Sequence, residues 1–467
     1  MNYDDRIERQ TYRLILTRRS ATEVLLATRG AGWALPHVEV RAQERLAEEL
    51  TAAARETWGI ETYCLFTPGP GNTAENVLGT KYALLESFAQ NAKAPPGMYW
   101  VPVATTTGEA TLARDDRESV LSALREMDQY AARPSTGPFA KPGWIRELFQ
   151  WVQGEIGPLG LRVTGGFRQL NASVAFSLIR IETTGPAVWF KATGEPNLDE
   201  LPITVAVARL FPRFVPTLLG VHASWNGWLS REAPGATLDS SREISAWSAA
   251  AKALAELQIA SIGKDGELLG NRCKDLRMER LTREIDPFLS RMSELMAAQK
   301  KQPPAVLTNS ELEMLGEELK GACSALQALA LPDTLGHIDF NPGNILVSPG
   351  GCVFLDWAEA CVANPLITFA YLREHAERQH PEAGGSPEDI AAAYLKPWQA
   401  LFSPSDLDRG MALSSLVAVF AYAVSGDAWR SSEHLGDPAR TRYLRSLTRR
   451  MHRDAVGIRE RSEPCLH

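Results

Sequence analysis

The chain has 467 residues, too many for one ordinary hydrophobic core, so two or three domains are expected. Hydrophobic residues at 45% and charged residues at 22% are globular proportions, which excludes a disordered or fibrous chain. A formal net charge of −7 supplies no field that would draw the chain to nucleic acid or to an anionic membrane, and neither is expected as a partner. The opening MNYDDRIERQ is charged with no apolar core behind it, so it does not read as a signal peptide. The most apolar helix-like run, residues 411–424, is too short to span a bilayer. Cys64, Cys273, Cys323, Cys352, Cys361 and Cys465 lack paired spacing and read as reduced thiols of a cytoplasmic protein, with neither a zinc site nor a disulfide frame.

Residues 1–132 read as a separate α+β unit. Strand patterns at 11–17 and 23–28 flank a turn at 18–22, residues 32–36 make a further turn, and a helix over 43–58 ends at Gly59. Strands follow at 61–66, 81–87 and 99–103, then a helix over 114–132. This order, with Trp33-Ala34-Leu35-Pro36 ahead of a helix closed by Gly59-Ile60, resembles the Nudix fold and implies an α/β/α domain. The motif that would carry Nudix chemistry is degenerate. Glu44 and Glu56 fall on acidic positions, but Ala52 and Ala53 stand where an Arg-Glu pair belongs, Thr57 replaces a metal-binding Glu, and His37 interrupts the turn. Several carboxylates on one helix face are needed to hold Mg2+ against a diphosphate, and one or two cannot fix that geometry. The domain is therefore expected to be a non-hydrolytic recognition or dimerisation module.

Residues 133–145, rich in Pro and Gly, read as a linker. Beyond a short helix at 144–154, residues 160–163 and 174–182 read as strands around a loop at Gly165-Gly166-Phe167. Glycines let backbone N–H groups come close to nucleotide phosphates, and Asn171 and Ser173 could add side-chain donors at the end of the loop. An ordinary β-turn would use the same glycines. Val188-Trp189-Phe190-Lys191-Ala192 is an apolar strand except for Lys191, which needs an anionic partner if buried. A helix over 201–211 opens at Asp199-Glu200, and residues 218–224 and 227–231 form a hairpin around Trp225-Asn226. The rest is mostly helical, at 240–260, 273–298, 309–329, 365–378, 386–402, 405–426 and 438–453. In the last helix Arg440, Arg442, Arg445, Arg449 and Arg450 read as a solvated face.

One stretch carries the chemistry. His337, Asp339 and Asn344 stand in the order His-x-Asp-x4-Asn, and Asp356-Trp357 follows. Apolar runs at 344–348 and 352–355 read as strands joined by Pro349-Gly350-Gly351, a hairpin that brings Asn344 and Asp356 to one rim. An Asn oxygen beside an Asp carboxylate suits Mg2+ that also holds substrate phosphates, and Asp339 is placed to accept the proton of an attacking hydroxyl. This set resembles the catalytic core of the aminoglycoside phosphotransferase and choline kinase family, the small-molecule relatives of protein kinases.

The resemblance implies an α+β chain with a bilobed protein kinase-like fold, a β-rich small lobe at 146–232 and a helical large lobe at 233–467. It implies that Lys191 grips the nucleotide phosphates, that Glu200 pairs with it, and that the base meets the backbone around Ser230, Arg231 and Glu232. The acceptor would lie against the C-terminal helices, with Glu359 nearest and Trp357 either lining that pocket or packing. His337 reads as a brace for the loop. The expected reaction is ATP- or GTP-dependent, Mg2+-assisted transfer of the γ-phosphoryl group to a small-molecule hydroxyl. Three alternatives stand beside it. A nucleotide-binding pseudokinase would not need Lys191, Asp339, Asn344 and Asp356 together. A Nudix-type hydrolase would need carboxylates at 53 and 57. A protein kinase would need an Ala-Pro-Glu element and a longer activation loop between Asp356 and residue 365. The acceptor, the choice of nucleotide, and whether the N-terminal domain makes a homodimer or meets another partner do not follow from sequence.

Overall fold

The computed structural model describes residues 9–30, 32–41, 45–67, 81–106, 112–132, 137–379 and 387–462. The chain divides into two compact units: Met1–Leu201 with Thr217–Glu232, and Pro202–Pro216 with Ala233–His467.

The first unit opens with β1 (Arg9–Arg18), β2 (Glu23–Arg29), β3 (Gly32–Ala34), β4 (His37–Arg41), α1 (Leu46–Trp58), β5 (Thr62–Phe66), β6 (Lys81–Ser87), β7 (Met98–Pro102), α2 (Val103–Thr106) and α3 (Arg114–Ala131). The strands make one mixed sheet in the order β3-β2-β1-β6-β5, with β4 added to β1 and β7 to β2. Its centre is the parallel pair β1–β6. Leu14, Ile15 and Leu16 are all fully buried because β1 is covered on both faces: Leu14 and Leu16 join the cluster beneath α1, and Ile15 joins a second cluster on the other side. α1 stops at Gly59 in a left-handed C-cap, φ 66°, as its sequence predicts.

The unit continues through α4 (Trp144–Ile156), β8 (Val163–Ser173), β9 (Phe176–Thr183), β10 (Val188–Thr193), the start of α5 (Glu200–Leu210), β11 (Leu218–His222) and β12 (Gly227–Arg231). These strands form a five-stranded sheet in the order β11-β12-β10-β9-β8. Two expectations change here. Residues 137–145, read as part of a linker, contribute Phe139, Ala140 and Trp144 to a core that also holds Ile15, Leu26 and Tyr63 on one side and Phe167, Ile179 and Phe190 on the other. Pro and Gly marked real turns (Gly143 has φ 87°), but the aromatics between them are packed, and both sheets share one core. Gly165 and Gly166 are not the hairpin loop. They lie inside β8 at a register shift between Val163 and Phe167, and the β8–β9 turn is formed by Val174-Ala175 at the opposite end.

The second unit contains the rest of α5, then β13 (Ala236–Thr237), α6 (Ile244–Ala260), α7 (Asp265–Gly270), β14 (Lys274–Leu276), α8 (Met278–Ala297), α9 (Asn309–Ala328), β15 (Thr334–His337), β16 (Ile345–Ser348), β17 (Gly351–Phe354), β18 (Ala360–Ala363), α10 (Pro365–Gln379), α11 (Pro387–Trp398), α12 (Pro404–Val424), α13 (Ser432–Leu435) and α14 (Pro438–Ser462). Two small sheets, β13-β16-β17 and β14-β18-β15, sit among the helices. β14 replaces the start of the helix expected from residue 273, because three residues are too few to display a period. α12 is longer than its apolar run suggested: Ser403 caps it, and at 21 residues it is long and apolar enough to cross a membrane by length and composition. Here 61% of its most apolar window is buried inside the protein, where it packs as a core helix. The arginines of α14 are not simply solvated. Arg445 and Arg449 donate to the carbonyls of Leu295 and Ala305, and Arg450 pairs with Glu374 of α10 at 2.6 Å. Cys64, Cys273, Cys323, Cys352 and Cys361 are free and buried, and Cys465 lies outside the described residues.

Candidate active site

The second unit carries the loop around Asp339, and a short chain of hydrogen bonds explains its shape. β15 ends at His337, whose N–H donates to Thr368 Oγ1 at 2.9 Å. A side chain at Gly336 would place its Cβ 2.8 Å from that oxygen, so glycine is what lets α10 approach. The imidazole then braces two strands of chain. Its Nδ1 accepts the N–H of Asp339 at 3.2 Å, which leaves Nε2 to carry the proton and donate to the carbonyl of Asp356 at 2.5 Å. Burial pushes the His337 pKa below its ordinary value, against the pull of the Asp356 carbonyl and of the carboxylates nearby. The ring is thus held in its neutral form between two backbone groups.

Beyond Asp339 the chain folds into an Asx turn. Asn341 Oδ1 accepts from Gly343 N–H at 2.9 Å, and the Asn341 carbonyl accepts from Asn344 N–H at 2.8 Å. β16 and β17 pair in regular antiparallel register, Ile345 opposite Phe354. One step further, Leu355 N–H donates to the Asn344 carbonyl at 2.8 Å. Asn344 and Asp356 therefore leave the hairpin from one rim, as the spacing predicts. Asp356 holds a left-handed backbone, φ 59° and ψ 72°, uncommon for a residue with a side chain and found where surrounding contacts over-determine it. Asp339 and Asp356 are both exposed.

Among the described residues no group of three or more His, Cys, Asp or Glu side chains is placed to hold a metal ion. An amide oxygen and a carboxylate at one rim nevertheless fit Mg2+, which keeps several waters and is held by one or two carboxylates with substrate phosphates.

Two acceptor-side candidates separate. Trp357 is 3% exposed and its ring packs on His337, so it belongs to the core and does not line a pocket. Glu359 is partly exposed and forms an ion pair with Lys274 of β14. Lys274 was hidden inside a predicted helix, and only the parallel pairing of β14 with β18 brings it there. Asp339 also acts electrostatically on two residues the sequence did not single out, His375 and Tyr422. The Tyr422 hydroxyl is pushed up by its hydrogen bond with Tyr443, by burial, and by Asp339 and Glu359.

The first unit carries the other candidates. Lys191 Nζ lies 2.5 Å from Glu200 Oε1, with Glu200 1% exposed at the start of α5, so the lysine has the anionic partner its apolar strand demanded. The rings of Phe176 and Trp228 lie 5.8 and 5.7 Å from Nζ. The turn between β8 and β9 needs no glycine of its own. Ser173 Oγ accepts the Ala175 N–H at 3.2 Å, and the Ala175 carbonyl accepts the N–H of Gly194, where any Cβ would sit 2.9 Å from that oxygen. Asn171 and Ser173 flank this turn, whereas Gly165 and Gly166 are removed from it. The Asn171 side-chain oxygen is buried with no hydrogen-bond partner among the described residues.

At the far end of β12, Arg231 N–H donates to Thr217 at 2.9 Å and Glu232 N–H to Ala187 at 3.0 Å, so these backbone donors are spent within the sheet. The Glu232 carboxylate is held by Arg180 through Nε at 2.5 Å and Nη2 at 3.0 Å, with Trp189 Nε1 at 3.2 Å. The Arg180 bond holds it below the usual carboxylate range. Ser230 is buried in the strand, opposite Trp189. An adenine edge seeking a free N–H would not find one on Arg231 or Glu232.

No curated protein matches this chain. Among solved structures, it is similar to the macrolide 2′-phosphotransferase MphH of Brachybacterium faecium, at 15% identity over 65% of this chain and 98% of that one, TM-score 0.43. It is similar to a choline/ethanolamine kinase family protein of Mesorhizobium loti, at 16% identity over 67% and 94%, TM-score 0.44. It is also similar to the choline kinase LicA of Streptococcus pneumoniae, at 14% identity over 67% and 99%, TM-score 0.44. Lys191 and the β8–β9 hairpin precede the span that a family model matches, whereas Glu200, His337, Asp339, Asn344 and Asp356 fall within it: residues 196–403 match the phosphotransferase enzyme family, APH.

Proposed function

We propose that the chain transfers the γ-phosphoryl group of ATP or GTP to a hydroxyl of a small molecule. The observation that carries this reading is the loop at His337. One buried neutral imidazole holds the backbone of both Asp339 and Asp356 while their carboxylates face solvent. A turn built only for packing has no use for that arrangement. Asp339 would orient the acceptor hydroxyl and take its proton, and Asn344 and Asp356 would hold Mg2+. Bound Mg2+ supplies charge neutralisation on the transferring phosphoryl group. Lys191, fixed by Glu200, would hold the nucleotide phosphates, with Asn171 and Ser173 adding polar groups at the hairpin. The family match at 196–403 supports phosphotransfer, and the committed pair Lys274–Glu359 speaks against a dense acidic lining for a polycationic acceptor. Buried free thiols suit a reducing, cytoplasmic compartment. The N-terminal segment is proposed as a Nudix-like, non-hydrolytic part of the chain, since Glu56 is exposed on α1 beside Ala52 and Ala53, and Glu44 lies outside the described residues.

The test is a thermal-shift titration of Mg2+ with ATP and with GTP, on the wild type and on Asp356→Ala. A Mg2+-dependent rise of about 3–5 °C, lost in the variant, is expected. No rise with either nucleotide would remove the reading.

A further inference from the structure

The β8–β9 ladder contains a defect that decides which way its polar residues face. Gln169 pairs with Ile179, but Asn171 pairs with Leu178, so Leu170 is an extra residue in β8. Leu178 pairs in turn with Lys191, and Lys191 with Trp228. Asn171, Leu178, Lys191 and Trp228 thus form one transverse row with their side chains on one face, and Ser173 follows two residues on. Without the extra residue, the regular alternation would set Asn171 opposite Ser177, which is fully buried on the other face, and Ser173 would turn with it.

What holds the defect in place comes from the N-terminal sheet. Gln169 is 1% exposed and closes a double hydrogen bond with the main chain of Cys64 in β5: its Oε1 accepts the Cys64 N–H at 2.7 Å, and its Nε2 donates to the Cys64 carbonyl at 3.0 Å. β5 offers both groups because it is an edge strand, paired only with β6, and its ladder slips just beyond Cys64. Two irregular strands are therefore locked at their irregularities by one side-chain amide. Beyond the bulge, Ala172 packs on the cluster beneath α1, and before it Arg168 pairs with Glu48 of that helix.

We infer that the N-terminal domain acts as a positioning device for the nucleotide-binding hairpin, with Gln169 the residue that sets the facing of Asn171 and Ser173. This rests on the phosphotransferase reading proposed above. Gln169 touches no nucleotide in this scheme and acts only through the strand that carries it. An amide is what the position needs, because one group must both accept and donate, which a leucine of similar size does not do and a glutamate does by half.

The experiment is a double-mutant cycle on nucleotide affinity, read by calorimetric titration of Mg-ATP and Mg-GTP into the full chain. Gln169→Leu is expected to weaken binding about tenfold, while in the Asn171→Ala/Ser173→Ala background it adds less than about twofold, because the groups it orients are gone. Gln169→Glu, which keeps the size and one hydrogen bond, is expected in between and serves if the leucine variant unfolds. Equal losses in both backgrounds, or unchanged affinity in both Gln169 variants, would overturn the inference while leaving the proposed function standing. A wild type that binds neither nucleotide sinks that reading and the inference with it.

Discussion

Two hairpins carry most of the polar residues assigned to nucleotide and metal, and they are built on opposite principles. β16–β17 is regular from Ile345–Phe354 to the Ser348–Gly351 pair that closes its turn, where Gly351 at φ 126° supplies a conformation other residues avoid. Its register alone puts Asn344 and Asp356 at one rim. β8–β9 slips twice, turns through ordinary residues at Val174-Ala175, and spends Gly165 at φ 93° on a strand defect instead of a turn. The facing of Asn171 and Ser173 depends on a bulge clasped from another sheet. A locally encoded hairpin is robust to distant change, whereas a hairpin positioned by a tertiary contact inherits every weakness of that contact.

The largest effect should separate the chemistry from the holding. Asp339→Asn is expected to keep Mg-nucleotide affinity within about twofold and to lower the rate of phosphoryl transfer by about 10³, measured on whichever alcohol a panel identifies as acceptor. An unchanged rate would mean that Asp339 is not the proton acceptor.

The turns come next. Gly351→Ala should cost about 1–2 kcal/mol in denaturant unfolding, because φ 126° disfavours any Cβ, while Val174→Gly should cost less than half of that. If Val174→Gly proves the more damaging, the contrast drawn between the two turns is wrong.

The smallest effect is a pH dependence. Since the folded pKa of His337 lies below its ordinary 6.5, the unfolded chain takes up a proton there before the folded one does. Its contribution to stability is full well above pH 6.5 and is lost as pH falls towards the folded value, so the chain should be less stable at pH 6 than at pH 7. Unfolding curves at the two pH values should show that loss in the wild type and a smaller one in His337→Gln, in which the depressed His375 still contributes. Equal losses in both proteins would take His337 out of the account.

Much of the site was legible in order along the chain. Asp339, Asn344 and Asp356 lie within one short stretch, so turn residues and strand period suffice to bring them together, and His337 could be given its bracing role before its bonds were known. Lys191 stood out as a lone charge in an apolar strand, and its pairing with Glu200 followed. What failed was composition used as position. Gly165-Gly166 announced irregular backbone without saying whether it was a turn or a bulge, and the Pro- and Gly-rich stretch at 133–145 concealed Phe139 and Trp144 in a shared core. Trp357 and Glu359 differ by two residues, yet one is core and the other meets Lys274.

The sequence by itself determined most of the elements and the loop from His337 to Asp356, because periodicity, caps and turns are local properties of a few neighbouring residues. Only the tertiary structure decided that the N-terminal sheet and the five-stranded sheet share one core, that Gln169 clasps Cys64, and that Lys274 neutralises Glu359. Those contacts join residues far apart in the chain, and no local pattern records which distant partner will satisfy a buried amide or an ion pair.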